Sequence, residues 1–176
     1  MASFVERMIG AAKLDVRTYE EVESDPSATG QALSMVVLSS IASGIGAPLG
    51  YGGVGIIGGM LAGLLGWLIW ASLMFFIGTR ILPEPTTRAN VPELLRTTGF
   101  AAAPGILRVL GLVPGVGVVL LFLISVWMLA AMIIAIRQAL DYSSTWRAVG
   151  VAVIGWCVYI VVWIVLRGLF NIGRPM

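Results

Sequence analysis

Long uncharged runs separated by short charged segments dominate this chain. Residues 26–79, 109–136 and 148–166 contain no charged side chain. A helix crosses the roughly 30 Å hydrocarbon core of a bilayer in about 20 residues. The first run is therefore long enough for two crossings and each of the others for one, which predicts an all-α, polytopic membrane helix bundle.

Proline and clustered glycines divide the first run at residues 47–53. Because proline ends helices and glycine permits tight reversals, we expect helix one over residues 26–47 and helix two over residues 54–80. Asp25 is the expected N-cap of helix one, with Pro26 at its first helical position.

Residues 92–112 allow two interpretations. Asn90, followed three residues later by Glu93, is typical of a helix start, and Arg108 is the one charged residue in the apolar second half of the segment. We expect Pro104 to kink a helix at this place. If the segment crosses, the bundle has five transmembrane helices; the alternative is four crossings plus a re-entrant or surface helix.

The distribution of lysine and arginine predicts a cytoplasmic N-terminus, because cytoplasmic loops carry an excess of these residues. Five crossings place eight of the 11 basic residues on that side and three outside, whereas four crossings place nine inside and two outside. The distribution therefore predicts the side of the N-terminus but does not distinguish four crossings from five. We divide it into an amphipathic cytoplasmic helix within residues 1–25, the transmembrane bundle over residues 26–170 and a short tail over residues 171–176.

The N-terminal pattern predicts one amphipathic helix over residues 3–22, with Ser3 and Glu6 forming a capping box. Its apolar face, which we expect to dock on the bundle or on a partner, consists of Phe4, Val5, Met8, Ile9, Ala12, Val16 and Tyr19. A helix lying on the membrane surface is the alternative. Residues 1–25 carry three positive and six negative charges, however, so anionic lipids would not attract them.

Helix two carries a glycine zipper, a set of glycines spaced so that they fall on one helix face. Small residues let backbones approach in lipid, where no hydrophobic force drives helices together. We expect this face to pack against small residues of helix one in an antiparallel hairpin; a homodimer seam through helix two is the alternative. The two sets are Gly52, Gly55, Gly59, Gly63 and Gly66 on helix two, and Ser39, Ser43 and Ala47 on helix one.

Composition excludes several kinds of site. Charged residues make up 11% of the 176 residues, against about 25% in soluble domains. With no histidine and one cysteine, Cys157, the chain cannot supply a histidine-ligated metal or a histidine-based catalytic triad. We expect no enzymatic activity, metal, cofactor or nucleic-acid partner. Arg108 is the candidate intramembrane functional charge, and a snorkelling arginine near a helix end is the alternative interpretation.

Part of the chain resembles a known family. Gly99, Phe100 and Pro104 fit the Gly-aromatic-Ala-x-x-Pro signature that opens the third transmembrane helix of the Yip family, and Trp127 lies in a similar continuation. The resemblance implies five transmembrane helices with a cytoplasmic N-terminus, and it brings no catalytic residue set. The chain lacks the long cytoplasmic arm and the Asp-Leu-Tyr-Gly-Pro motif of the eukaryotic, Rab-interacting members. It is therefore more similar to the prokaryotic branch.

These patterns favour a non-enzymatic integral membrane scaffold or accessory subunit of a larger membrane assembly. The expected surroundings are the lipid bilayer of a prokaryotic plasma membrane and other membrane-protein subunits, with a homo-oligomer as the open alternative. The alternative function is a small transporter or channel component for a lipid or an apolar solute, with Arg108 and Trp127 lining its path.

Overall fold

The computed structural model describes residues 2–46 and 55–169. Every regular element within these ranges is helical, which confirms the all-α prediction. The α-helices are α1 (Phe4–Ala12), α2 (Val16–Ser24), α3 (Ala28–Gly46), α4 (Gly55–Phe76), α5 (Val91–Phe100), α6 (Gly117–Ala139) and α7 (Thr145–Leu169). A π-helical turn, Ile77–Ile81, extends α4, and a 3-10 helix, Ala103–Leu112, follows α5.

Four segments of the described chain are long and apolar enough to cross a membrane. They are Ala28–Gly46, Ile57–Ile81, Gly117–Ala139 and Thr145–Val162. At most 33% of any of these spans is buried, so most of their apolar side chains face outward and need lipid tails as their solvent. The chain is therefore an integral membrane protein, as predicted. The expected turn at residues 47–53 and the tail at residues 171–176 lie outside the described residues.

The N-terminal segment forms a hairpin of two short helices, α1 and α2, in place of the single helix predicted over residues 3–22. The capping box of Ser3 and Glu6 is present at the start of α1. The helix breaks at Leu14, whose φ of 63° lies in the left-handed region that ends helices. Asp15 then caps α2 by accepting a backbone hydrogen bond from its first turn. The hydrophobic pattern misses this break because no glycine or proline marks it.

Residues 91–112 form a composite segment rather than one α-helix. α5 begins with the predicted capping box of Asn90 and Glu93. At Pro104, which cannot donate a helical hydrogen bond, the winding changes to the narrower 3-10 form. The 10 residues of α5 and the 10 of the 3-10 helix together extend about 35 Å, which exceeds the thickness of the hydrocarbon core.

The composite segment lies alongside α3 as far as the last residue of α3 and runs in the same direction. Three close contacts pair the two in order: Gly99 with Ala32, Gly105 with Ser39, and Gly111 with Gly46. α4 runs the opposite way, since Gly63 meets Ser40 while Trp67, one turn later, donates a hydrogen bond to Thr98 of α5. α3 thus packs against both α4 and the composite segment.

Two clusters of buried side chains hold these elements together. The first joins the hairpin to α3, α5 and α6, and its largest fully buried members are Tyr19, Met35 and Phe100. The second joins α4, α6 and α7 around Met74 and Ile136. Because the first cluster contains side chains from both the hairpin and the bundle, the hairpin shares a core with the transmembrane helices.

Candidate functional site

The buried side chain of Arg7 holds the hairpin together. The residue is buried, with 2% of its surface exposed. Its guanidinium donates hydrogen bonds to Glu21 (2.8 Å) in α2, to Asp25 (2.6 Å) at the end of α2, and to Gln31 (3.1 Å) in α3. A buried charge is tolerated only when its donors are satisfied, so this one side chain ties α1 to both of the helices that follow.

The apolar face predicted for the N-terminal segment is divided between two environments. Those residues that pack into the first core cluster are Phe4, Met8, Ala12 and Tyr19. Those that remain exposed are Val5, Ile9 and Val16, at 53%, 44% and 38%. The break at Leu14 changes the direction of the chain, and Arg7 points inward, so the face of one continuous helix is not preserved.

Two side chains of the bundle bind the carbonyl ends of the hairpin helices. Arg96, buried in α5, donates to the backbone carbonyls of Val22 and Glu23 at the end of α2. Trp127 of α6 donates its indole N–H to the Ala12 carbonyl at the end of α1, at 2.8 Å. Terminal carbonyls lack intrahelical partners and carry partial negative charge, so a cation and an N–H donor suit them. Sequence patterns miss these contacts because the partners are 74 and 115 residues apart.

Glu23 lies among like charges where the hairpin meets the bundle. Burial, together with the nearby Asp141 and Glu93, raises its pKa to about 7 against the opposing charge of Arg96, and Glu20 adds a smaller like-charge effect. These carboxylates do not form a cation site: within the described ranges, no three His, Cys, Asp or Glu side chains are placed to hold a metal ion. The Glu23 carboxyl is instead a titratable group at the contact between the hairpin and the bundle.

We predict that hairpin docking weakens as the pH rises from about 5 to about 8. The docked chain holds the Glu23 proton up to about pH 7, whereas an undocked glutamate releases it near 4.5. The stability from this proton is therefore complete below about pH 4.5 and is lost as the pH rises through about 7. The apparent Tm of the purified protein should follow this trend.

Glu23→Gln is the control for this pH dependence, because the amide does not titrate. Its Tm should be flat between about pH 5 and about pH 8. Asp25 does not interfere in this window, since hydrogen bonds from Ser27 and Arg7 hold its pKa at about 2 and its contribution is lost only in stronger acid. A slope that persists in Glu23→Gln would show that another group is responsible.

Glycines form close contacts between α3 and the composite segment. A Cβ placed on Gly46 would collide with the backbone carbonyl of Arg108. One on Gly105 would meet the hydroxyl of Ser39, and one on Gly111 would meet the carbonyl of Gly46. In a 3-10 helix, residues three apart are eclipsed, so positions 105, 108 and 111 form one straight line against α3.

The predicted partners of the glycine zipper are arranged differently from the expectation. Ser39 lies against Gly105 and Ser43 lies beside Arg108, so the small residues of α3 face the 3-10 helix, while α4 meets Ser40 through Gly63. Gly59 and Gly66 have no described residue within 4 Å of a Cβ built on them. Gly55 is the first residue of α4. Gly52 and Ala47 lie outside the described residues.

The side chain of Arg108 points along the bundle, away from the end at which α3 terminates. Its carbonyl lies against Gly46, the last residue of α3, whereas its guanidinium reaches Ser43 (3.5 Å), one turn farther in, and Ser125 of α6 (3.2 Å). An arginine that snorkels from this position would extend its guanidinium past the end of α3. The side chain is instead held between two hydroxyl groups of neighbouring helices.

Arg108 and Trp127 do not lie on one path. Ser125, which Arg108 contacts, is two residues from Trp127 and therefore about 200° away around α6. The indole N–H of Trp127 is engaged by the hairpin. The arrangement gives no support to a transport path lined by both side chains.

A known protein family matches most of these helices. The family model described as the Yip1 domain matches residues 16–166. The chain belongs to the Yip1 domain family. The matched range begins at the first residue of α2 and ends within α7, so it covers the second helix of the hairpin as well as the membrane spans. No curated protein and no solved structure matches the chain significantly.

In this Yip1-domain protein, two of the four motif residues, Phe100 and Trp127, contact the N-terminal hairpin. Gly99 leaves no space for a side chain against α3. Phe100 is fully buried, and its ring centroid lies 6.4 Å from that of Phe4 in the hairpin. Pro104 is the second residue of the 3-10 helix, and Trp127 binds the end of α1. Phe100 and Trp127 therefore form part of the surface that receives the N-terminal hairpin, while Gly99 allows the close approach of α5 to α3.

Proposed function

We propose that this Yip1-domain protein is a non-enzymatic membrane scaffold or accessory subunit of a larger membrane assembly. The observation that carries the proposal is the open glycine face of α4, formed by Gly59 and Gly66. The two lie about 20° apart around the helix, and no described residue occupies the space above them. Because helices in lipid associate where small residues let backbones approach, this face suits a helix of another chain.

Native mass spectrometry after mild detergent extraction tests this proposal. We expect a stable complex with another membrane protein, which is lost when Gly59→Leu and Gly66→Leu are combined. A Cβ at either position meets open space, so leucine adds its bulk to the open face. Leu61→Phe is the matched control, since it adds bulk about 200° away on the same helix and should leave the complex intact. A protein that purifies alone, a homodimer alone, or a complex indifferent to both leucines would overturn the proposal.

The outer side of the hairpin is the second contact surface in this proposal. Val5, Ile9 and Val16 are exposed there although the rest of the predicted apolar face is buried. The hairpin itself is held by Arg7, Arg96 and Trp127. A partner at this surface would therefore meet a structure fixed in place by the bundle.

We infer five crossings, with the composite segment 91–112 as the third. Its length and its course beside α3 support this count. The ion pair of Arg147 with Glu84 (3.1 Å) supports it further, because it joins the loop after α4 to the start of α7. Both places lie on the same side of the membrane if the segment crosses, and on opposite sides if it does not. The basic residues near the hairpin support a cytoplasmic N-terminus, which in our proposal lies at a prokaryotic plasma membrane.

Cysteine labelling in intact cells is expected to report this topology. In a Cys157→Ser background, Pro114→Cys should react with a membrane-impermeant maleimide from outside, whereas Thr86→Cys should react only after the membrane is opened. Ser144→Cys is the control and should behave like Thr86→Cys. Equal accessibility of positions 114 and 86 would mean that the composite segment does not cross.

A further inference from the structure

Arg108 has no counterion among the residues that the structure describes. All nine Asp and Glu residues lie at positions 6–25, 84–93 and 141, and every one of these positions falls within the described residues. None of these carboxylates approaches Arg108 within 4 Å; the ion pairs of the described chain are formed by Arg7 and Arg147. The half-buried guanidinium of Arg108 therefore has no described carboxylate as an ion-pair partner.

The two serines orient Arg108 without neutralising it. The hydroxyl of Ser43 donates to the Ser39 carbonyl, and the hydroxyl of Ser125 donates to the Leu121 carbonyl. Each hydroxyl oxygen is thus left to accept from the guanidinium. A guanidinium has five N–H donors, of which these contacts use two, and the three others have no acceptor among the described residues. The remaining donors form a fork of the kind that binds two oxygens of one anion.

The position of the guanidinium restricts which anion can reach it. Ser43 is three residues from the end of α3, and Ser125 is eight residues from the start of α6, so the charge lies about 5–12 Å inside the end of the bundle. This depth is close to the boundary between headgroups and acyl chains. Exposed apolar side chains of the same elements, Leu112, Val118 and Phe122, are available to contact acyl chains.

We propose that Arg108, held by Ser43 and Ser125, binds the phosphate group of a membrane phospholipid in the leaflet at this end of the bundle. The phosphate diester supplies two anionic oxygens to the free N–H donors, and its acyl chains lie on the apolar surface beside the site. Inorganic phosphate shares the headgroup chemistry but lacks the chains. The two sources are therefore distinguishable by binding.

Native mass spectrometry of the delipidated full-length protein tests the site with three probes. These are dioleoylphosphatidylglycerol in mixed micelles, dioleoylglycerol, which has the same chains and no phosphate, and inorganic phosphate. We expect one phospholipid to be retained, and dioleoylglycerol to be retained at least about tenfold less, since charge-assisted hydrogen bonds are worth more than one tenfold step. Equal retention of the two lipids, or displacement of the phospholipid by millimolar inorganic phosphate, would overturn the proposal.

Three variants assign the binding to the side chain. Arg108→Gln, which removes the charge and keeps a polar side chain, should lower phospholipid retention about tenfold or more. Arg108→Lys keeps the charge but loses the two-pronged guanidinium, so it should retain more phospholipid than Arg108→Gln and less than the wild type. Arg88→Gln, an exposed cation in the loop before α5, is the matched control and should bind like the wild type. Unchanged binding in a monodisperse Arg108→Gln, or no restoration by lysine in a folded variant, would contradict the assignment.

Discussion

Replacing Gly46 by alanine is expected to destabilise the bundle by about 3 kcal/mol, the upper part of the range for overpacked cores. The added Cβ would fall on the Arg108 carbonyl, and a backbone atom cannot rotate away as the end of a flexible side chain can. α3 and the 3-10 helix would have to separate along the line of Gly105 and Gly111. Gly111→Ala should act in the same direction through the Gly46 carbonyl.

Unfolding in mixed micelles by titration with dodecyl sulfate, followed by tryptophan fluorescence, measures this effect. Gly59→Ala and Gly66→Ala are the matched controls, because a Cβ at either position meets open space. They should change the free energy of unfolding by less than about 1 kcal/mol. If the α4 variants were the destabilising ones, the close contacts would lie on the glycine zipper after all.

Arg7→Leu is expected to release the hairpin from the bundle, with a loss of about 2 kcal/mol in docking free energy. The leucine fits an apolar core but removes every donor that Glu21, Asp25 and Gln31 receive from α1. Glu21 is 40% exposed, so water compensates part of the loss. Undocking uncovers Tyr19, which is fully buried in the intact hairpin.

Chymotryptic cleavage at Tyr19 measures this release, and its rate should rise about 30-fold for a loss of about 2 kcal/mol. Arg17→Leu is the matched control, because it makes the same change of charge at an exposed position of the same hairpin. Its cleavage rate should stay close to that of the wild type. Equal rates for Arg7→Leu and the wild type would show that Arg7 does not hold the hairpin.

Local signals in the sequence predicted many elements of this fold. The charge-free runs located the four long spans, because the length of a membrane helix depends mainly on the thickness of the bilayer. The capping boxes at Ser3 and Asn90 predicted two helix starts, since a cap involves residues only three positions apart. The family resemblance rested on Gly99 and Pro104, and it was confirmed over residues 16–166.

The arrangement of the small residues could not be predicted in this way. At the spacing of an α-helix, Gly105, Arg108 and Gly111 point in different directions. A period of three residues aligns them, and that period exists only because the winding changes at Pro104. The sequence signal for this line of residues is a pair of small residues three or six positions apart after a proline.

The N-terminal hairpin was predicted only as an amphipathic segment. Its division at Leu14 leaves no mark in composition, because a leucine with positive φ is stabilised by its surroundings rather than by its own preference. The inward position of Arg7 was missed for a related reason. In a sequence, a buried arginine cannot be distinguished from a surface arginine until its partners are known. Two of the partners of Arg7 lie in other helices.

The anchors of the hairpin set the order in which the protein is completed. Residues 1–25 are synthesised before Arg96 and Trp127, the two side chains that bind the carbonyl ends of the hairpin helices. The hairpin can therefore complete its attachment to the bundle only after most of the membrane helices have been synthesised. A nascent chain that stalls before residue 127 would leave Tyr19 and Phe4 available to chaperones, and docking would mark the end of insertion rather than its beginning.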